Sequence, residues 1–212
     1  MLVFSKQKLV FLSVPKTGTT AWQAALGPQA SMIVSDPPEL KHAPVFRYNR
    51  FFRPALEKFI GEDLHVIAVM RAPIDWLGSW YRYRQRSFLS GKATSTEGIS
   101  FDEFVRAYVQ GTQPQFANVG SQSKFLQPQR NGTSATHLFR YEDQGSLISY
   151  LEQRLGKRVE TDRINTSRSK RLDLSAETMA VLTRKYAPDF ELYDSIQPDG
   201  SYTPKPVASP VG

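Results

Sequence analysis

Two short stretches combine residue types and spacing that could hold an anion. In the first, Val10-Phe-Leu-Ser-Val-Pro-Lys-Thr-Gly-Thr-Thr, an apolar run feeds a loop with one lysine, one glycine and three threonines, then opens a helix. A helix N-terminus leaves four backbone N–H groups unpaired and carries the positive end of the macrodipole, so such a junction is a ready phosphate cradle. Pro15, Lys16, Thr17, Gly18, Thr19 and Thr20 form that candidate cradle. The hydroxyls of Thr17, Thr19 and Thr20 would add donors, Lys16 a full charge, and Gly18 a close backbone approach. The same Pro-Lys-Thr-Gly letters also serve as ordinary turn chemistry. The loop is not a Walker A sequence, because its lysine precedes its only glycine. The apolar run 66–70 ends in Arg71 rather than a carboxylate, which leaves no obvious holder for magnesium and favours transfer of a group less charged than phosphoryl.

The second stretch begins at Arg71, with Ser79 eight residues later and Pro73 and Asp75 between them. An arginine fork just past the C-terminal end of a strand, where open α/β sheets bind ligands, suits a phosphate, and a serine hydroxyl adds a short donor. The competing assignment is structural: Arg71 pairs with Asp75 or another acid, and Ser79 packs in a helix.

Taken together, Pro15-Lys-Thr-Gly-Thr-Thr resembles the 5′-phosphosulfate loop, and Arg71-Ala-Pro-Ile-Asp-Trp-Leu-Gly-Ser the 3′-phosphate motif, of sulfotransferases that use 3′-phosphoadenosine 5′-phosphosulfate (PAPS). The similarity continues more weakly through Gln122-Ser-Lys-Phe-Leu, Phe139-Arg-Tyr-Glu and Asn165-Thr-Ser to Asp194, and so spans most of the chain. Ala21 separates the two threonines from Trp22, which is more similar to carbohydrate-type and bacterial members than to the steroid and phenol branch, and Trp22 is read as a core residue.

The resemblance implies PAPS as donor, adenosine 3′,5′-bisphosphate as product, no metal, and an acceptor hydroxyl on a carbohydrate or related metabolite, attacked in line. It gives Lys16 the charge developing on the oxygen between sulfur and the 5′-phosphate. The base has three histidine candidates, His42, His65 and His137, of which the last two fall in strand-like runs. Lys41-His42 is similar to the pair of a basic residue and a base found there in carbohydrate sulfotransferases, often with glutamate as the base. His42 is therefore the first candidate, with Glu39 and Asp36 as substitutes, and an imidazole near pKa 6.5 suits proton abstraction at neutral pH. Lys41, Arg47, Arg50 and Gln122 are candidates for acceptor contact, as is the run Arg82-Tyr-Arg-Gln-Arg, although arginines two apart on a helix cannot all face one way. Arg168, Lys170 and Arg171 either close over the 3′-phosphate or adenine, or form a solvated loop.

The elements that must hold these residues follow from periodicity. Runs 8–14, 31–35, 64–70 and 136–140 read as strands, and 19–26, 74–88, 101–109, 145–155 and 175–186 as helices, with Ser100 and Glu103 forming a capping box and Ser175 an N-cap. Alternating strands and helices predict a single α/β domain over 1–196 with a mainly parallel sheet, and a Pro-rich, loosely attached tail over 197–212. Stretches 87–98 and 111–130 read as loops.

Composition narrows the classes further. The 212 residues are 40% apolar and contain no cysteine, which excludes disulfide scaffolds, thiolate metal sites and cysteine nucleophiles. No apolar run reaches the length of a membrane span and no signal-peptide pattern is seen, so the expectation is a cytoplasmic protein with chance glycosylation matches at Asn131 and Asn165. The net charge of +7 is concentrated between Lys41 and Lys92, where ten basic residues face four acids. That surplus supports one alternative, a noncatalytic module binding polyanions, but no nucleic-acid motif accompanies it. A divergent P-loop kinase is the other alternative, and the chain does not supply its metal ligands.

Overall fold

The computed structural model describes residues 1–160 and 172–204. In chain order the elements are β1 (Leu2–Phe4), β2 (Leu9–Leu12), α1 (Thr19–Leu26), β3 (Met32–Ile33), α2 (Pro38–Lys41) and α3 (Val45–Arg47), which runs through a π-helical stretch (Tyr48–Phe52) into α4 (Arg53–Ile60). There follow β4 (His65–Met70), α5 (Pro73–Arg84), α6 (Phe101–Tyr108), α7 (Gln122–Phe125), β5 (His137–Arg140), α8 (Gln144–Leu155), α9 (Ala176–Lys185) and α10 (Ala187–Ser195).

The architecture is α/β, with a five-stranded sheet in the order β3-β1-β2-β4-β5 flanked by helices. The sheet is mixed, not mainly parallel: β2, β4 and β5 run parallel, while β1 pairs antiparallel with both β2 and β3. The strand β1 was missed because Met1 to Phe4 shows no alternation; both faces are covered, and the run folds back onto β2 through a tight turn in which the Lys8 N–H donates to Ser5 O at 3.1 Å. Hairpin closure costs little loop entropy, so this pairing forms beside the crossover-linked strands.

Side chains alternate across the sheet with a period of two and divide the core. Val10, Leu12, Val66, Ala68, Met70 and Leu138 pack on one face against Val45, Tyr48 and Leu56. Leu9, Phe11, Ile67, Val69 and Phe139 pack on the other against Trp22, Leu26, Leu147 and Leu151, which puts Trp22 in the core. A further apolar cluster joins α5, α6 and α9 through Trp76, Tyr81, Phe104 and Leu182.

Of the segment read as a Pro-rich tail, residues 197–204 are described and hydrogen-bond back to the sheet. Leu138 N–H donates to Gly200 O at 2.9 Å, Gln197 N–H to Ser201 O at 2.8 Å, and the Tyr202 hydroxyl to Ala135 O at 2.6 Å. The outer edge of β5 has donors that need acceptors, and this segment supplies one. Gly200 sits at φ 83° with the Phe139 ring 2.7 Å from where a Cβ would stand, so only glycine fits. Among the described residues, no helix is long and apolar enough to cross a membrane.

Candidate anion-binding site

Parallel pairing of β2 with β4, and of β4 with β5, brings the C-terminal ends of three strands to one edge. From that edge emerge the residue 15–20 loop, Arg71, and Tyr141 with Glu142. The loop turns sharply: Lys16 lies at φ 67° and Gly18 at φ 76°, the first a costly left-handed conformation for a side chain. Thr17 is buried, and its hydroxyl donates to Val14 O at 2.8 Å. That donor closes the turn. Thr19 is half-buried and Thr20 exposed, and no side chain caps the N-terminus of α1. Pro15 O accepts the Trp76 indole N–H at 2.9 Å, tying the loop to α5.

Lys16 reaches toward α5, with Nζ 4.1 Å from the Tyr83 ring centroid and 5.5 Å from that of Trp80. Burial first, then the charges of Arg86, Arg71 and Arg82, lower its pKa from 10.5 to about 8. Burial and Arg71 likewise push Arg82 down, with Asp75 opposing. The ion pairs among the described residues are Lys8–Asp63, Arg53–Glu57 and Arg106–Asp102, so Lys16, Arg71, Arg82 and Arg86 gather without a paired acid. A structural Arg71–Asp75 pair is therefore not formed. Uncompensated cations in a partly desolvated cleft are costly alone and favour an anionic ligand.

Arg71 is buried and clamped through its backbone. Its N–H donates to Gln122 Oε1 at 2.9 Å, and its carbonyl accepts from Gln122 Nε2 at 2.7 Å. Its guanidinium lies 4.4 Å from the Tyr141 ring centroid, and its Nε is buried with no hydrogen-bond partner among the described residues. Gln122, a candidate acceptor contact in the sequence, is fully buried with its side chain bonded to the Arg71 backbone. Asp189 fixes it in turn, accepting the Gln122 N–H at 2.9 Å and the Ser123 hydroxyl at 2.6 Å. Glu142 accepts the Ala72 N–H at 3.1 Å and the Tyr193 hydroxyl at 2.8 Å, which anchors the start of α5 to the end of β5. Ser79 is half-buried on α5; beside it, Leu172 packs so closely on Gly78 that a Cβ there would meet it at 2.9 Å. Arg168, Lys170 and Arg171 lie outside the described residues.

His42 follows α2, and its Nδ1 lies 2.7 Å from Ser13 O. A carbonyl only accepts, so Nδ1 carries the proton and Nε2 keeps its lone pair free. Burial lowers the His42 pKa, opposed by the bond to Ser13 and aided by the charges of Lys41 and Lys16. The ring is therefore neutral and basic at Nε2 near pH 7. Asp36 and Glu39, the substitutes for the base, are exposed. Arg47 Nη1 donates to Glu39 O at 2.9 Å, which holds it on α2, while Lys41 adjoins His42 in the chain. The helix expected over 74–88 ends at Arg84, so Arg86 follows α5 in an extended conformation; Arg84 is buried and donates to Gln115 O at 2.6 Å and Asn118 O at 3.2 Å, away from Lys16. Arg82 and Arg86 are the ones that reach the site. Val14, Pro15, Pro44, Phe46, Trp76 and Phe125 line a cavity of about 220 Å³ beside the loop.

Sequence reasoning missed Asp189 and Trp80, and gave no specific role to Tyr141, Glu142 and Tyr83. The Phe139-Arg-Tyr-Glu run carried a signal, since it closes a strand at the same edge. Neither a family model nor a curated protein sequence matches the chain.

Proposed function

We propose that this protein is a PAPS-dependent sulfotransferase acting on an acceptor hydroxyl. One observation carries the reading: the residue 15–20 loop and Arg71 leave the C-terminal ends of neighbouring parallel strands, and Lys16 and Arg71 approach closely enough to repel, with no paired acid among the described residues. A nucleotide-sized anion with a phosphate at each end satisfies such a pair. The orphaned Arg71 Nε fits this ligand, since it is a buried donor waiting for an acceptor.

In this reading the backbone of residues 15–20 and Lys16 hold the 5′ end, and Arg71 with Ser79 the 3′-phosphate. PAPS, when bound, supplies an activated sulfuryl group. Lys16 is still mainly protonated at neutral pH, so it neutralises negative charge as it develops on the 5′-phosphate side. His42 Nε2 takes the proton of the attacking hydroxyl, and the Ser13 carbonyl holds the ring and steadies the Nδ1–H as the imidazolium forms. The cavity between Pro15, Pro44 and Trp76 would receive the acceptor, with a carbohydrate or related metabolite as the proposed class.

Calorimetric titration with adenosine 3′,5′-bisphosphate in the absence of magnesium tests the reading. Binding should be tight in the wild type and at least about 100-fold weaker in Arg71→Ala, because a charge-assisted contact is lost. Equal binding of ATP, with a magnesium requirement, would point to a kinase instead.

A further inference from the structure

The helical stretch 45–60 shows a second surface, separate from the anion site. Its inner positions, Val45, Tyr48, Phe52, Leu56 and Ile60, pack into the core. Its exposed positions recur every four residues: Phe46, then Arg50 with Phe51, Pro54 with Ala55, and Lys58 with Phe59. Not one is an acid or a neutral hydrogen-bonding side chain. The only acid in 45–60, Glu57, is paired with Arg53 at 2.6 Å.

The phenylalanines are exposed to 47%, 58% and 81% at Phe46, Phe51 and Phe59, an arrangement that water disfavours and that single scattered apolar residues do not explain. Each ring carries its own cation: Arg47 lies 5.5 Å from Phe46, Arg50 5.3 Å from Phe51, and Lys58 5.7 Å from Phe59. Long basic side chains can keep their heads among anionic groups while neighbouring rings enter an apolar layer.

We infer that this stripe docks the protein on an anionic lipid bilayer, the rings of Phe46, Phe51 and Phe59 entering the interface and Arg50 and Lys58 meeting lipid phosphates. The charge argues for that occupant: a stripe free of acids cannot be complementary to its own copy, whereas a negative surface matches its whole length. Phe46 also lines the 220 Å³ cavity beside Pro15 and Trp76, so docking brings that cavity to the bilayer surface. The docking stands independently of the catalytic reading.

The test is cosedimentation of the full chain with vesicles of phosphatidylcholine alone or with about one-third phosphatidylglycerol. The chain should partition onto the anionic vesicles, and high salt should weaken binding. Phe51→Ser with Phe59→Ser, and separately Arg50→Gln with Lys58→Gln, should each reduce partitioning about tenfold or more. Both pairs are exposed, so thermal melting and binding of adenosine 3′,5′-bisphosphate should be unchanged, which separates failure of docking from failure of the anion site. Absence of binding to anionic vesicles, or binding indifferent to both double variants, overturns the inference. So does self-association by light scattering that these variants abolish while vesicle binding persists.

Discussion

Replacing Lys16 with methionine should make the folded protein more stable while removing its ligand affinity. Burial and three neighbouring arginines lower the amine from 10.5 to about 8. At about 1.4 kcal/mol per pH unit, keeping it charged at neutral pH costs the fold at most about 3 kcal/mol. The side chain is only half-buried, and solvent screening brings that to about 1–2 kcal/mol. Methionine keeps the aromatic contact, because a thioether against Tyr83 and Trp80 recovers about what the ammonium loses there. The strain at φ 67° is the same for both side chains and cancels.

In a chain of this length, about 1–2 kcal/mol corresponds to a melting point raised by about 3–6 °C. The sign with pH is fixed as well. The unfolded chain holds more protons than the folded one between about 8 and 10.5, so wild-type stability rises across that window. The advantage of Lys16→Met is therefore full below about 8 and fades toward 10.5. Calorimetric melts at neutral and alkaline pH measure this, and titration with adenosine 3′,5′-bisphosphate should show affinity reduced by about 100-fold or more. A lower melting point in the variant would refute the claim that uncompensated charge is stored at this loop. Unchanged affinity with a raised melting point would leave the electrostatics intact and sink the ligand assignment.

The other expectations concern the groups around that loop. Under the proposed function, His42→Asn should lower sulfuryl transfer by about 10²- to 10⁴-fold with little change in melting, and the acid limb of the proposed reaction should fall below the ordinary histidine value, since burial lowers the His42 pKa; a limb above neutrality would exclude it as the base. Gln122→Ala frees the N–H and carbonyl of Arg71, and chemical denaturation should record a loss of about 1–3 kcal/mol, with bisphosphate binding weakened although Gln122 need touch no ligand. Asp189→Asn can still accept the Gln122 N–H and should cost about 1 kcal/mol or less, whereas Asp189→Ala should cost about 2–3 kcal/mol; equal losses would show that the carboxylate charge, not its acceptor role, is what matters.

Local chemistry was legible in the chain itself. The helix 19–26 is found where the loop chemistry places it, and Ser100 with Glu103 and Ser175 cap their helices, because periodicity and capping are short-range properties. The pairing of Leu2–Phe4 was not, since a uniformly buried strand has no alternation and its partner is chosen by the sheet. Similarly, the letters around Gln122 identify a polar residue near the site, but only packing turns it toward the Arg71 backbone, 51 residues away. Thr17 offers a hydroxyl in the sequence, and the turn consumes it.

Arg82, Arg84 and Arg86, spaced by two at the end of α5 and just past it, illustrate the division most clearly. Sequence spacing requires that they diverge, and tertiary structure decides which does: Arg84 is drawn to the carbonyls of Gln115 and Asn118, while Arg82 and Arg86 stay near Lys16. The sequence determines which atoms can bear charge or donate a proton. Which of them lack a partner, and so retain energy for a ligand, depends on contacts between distant segments that no local pattern encodes.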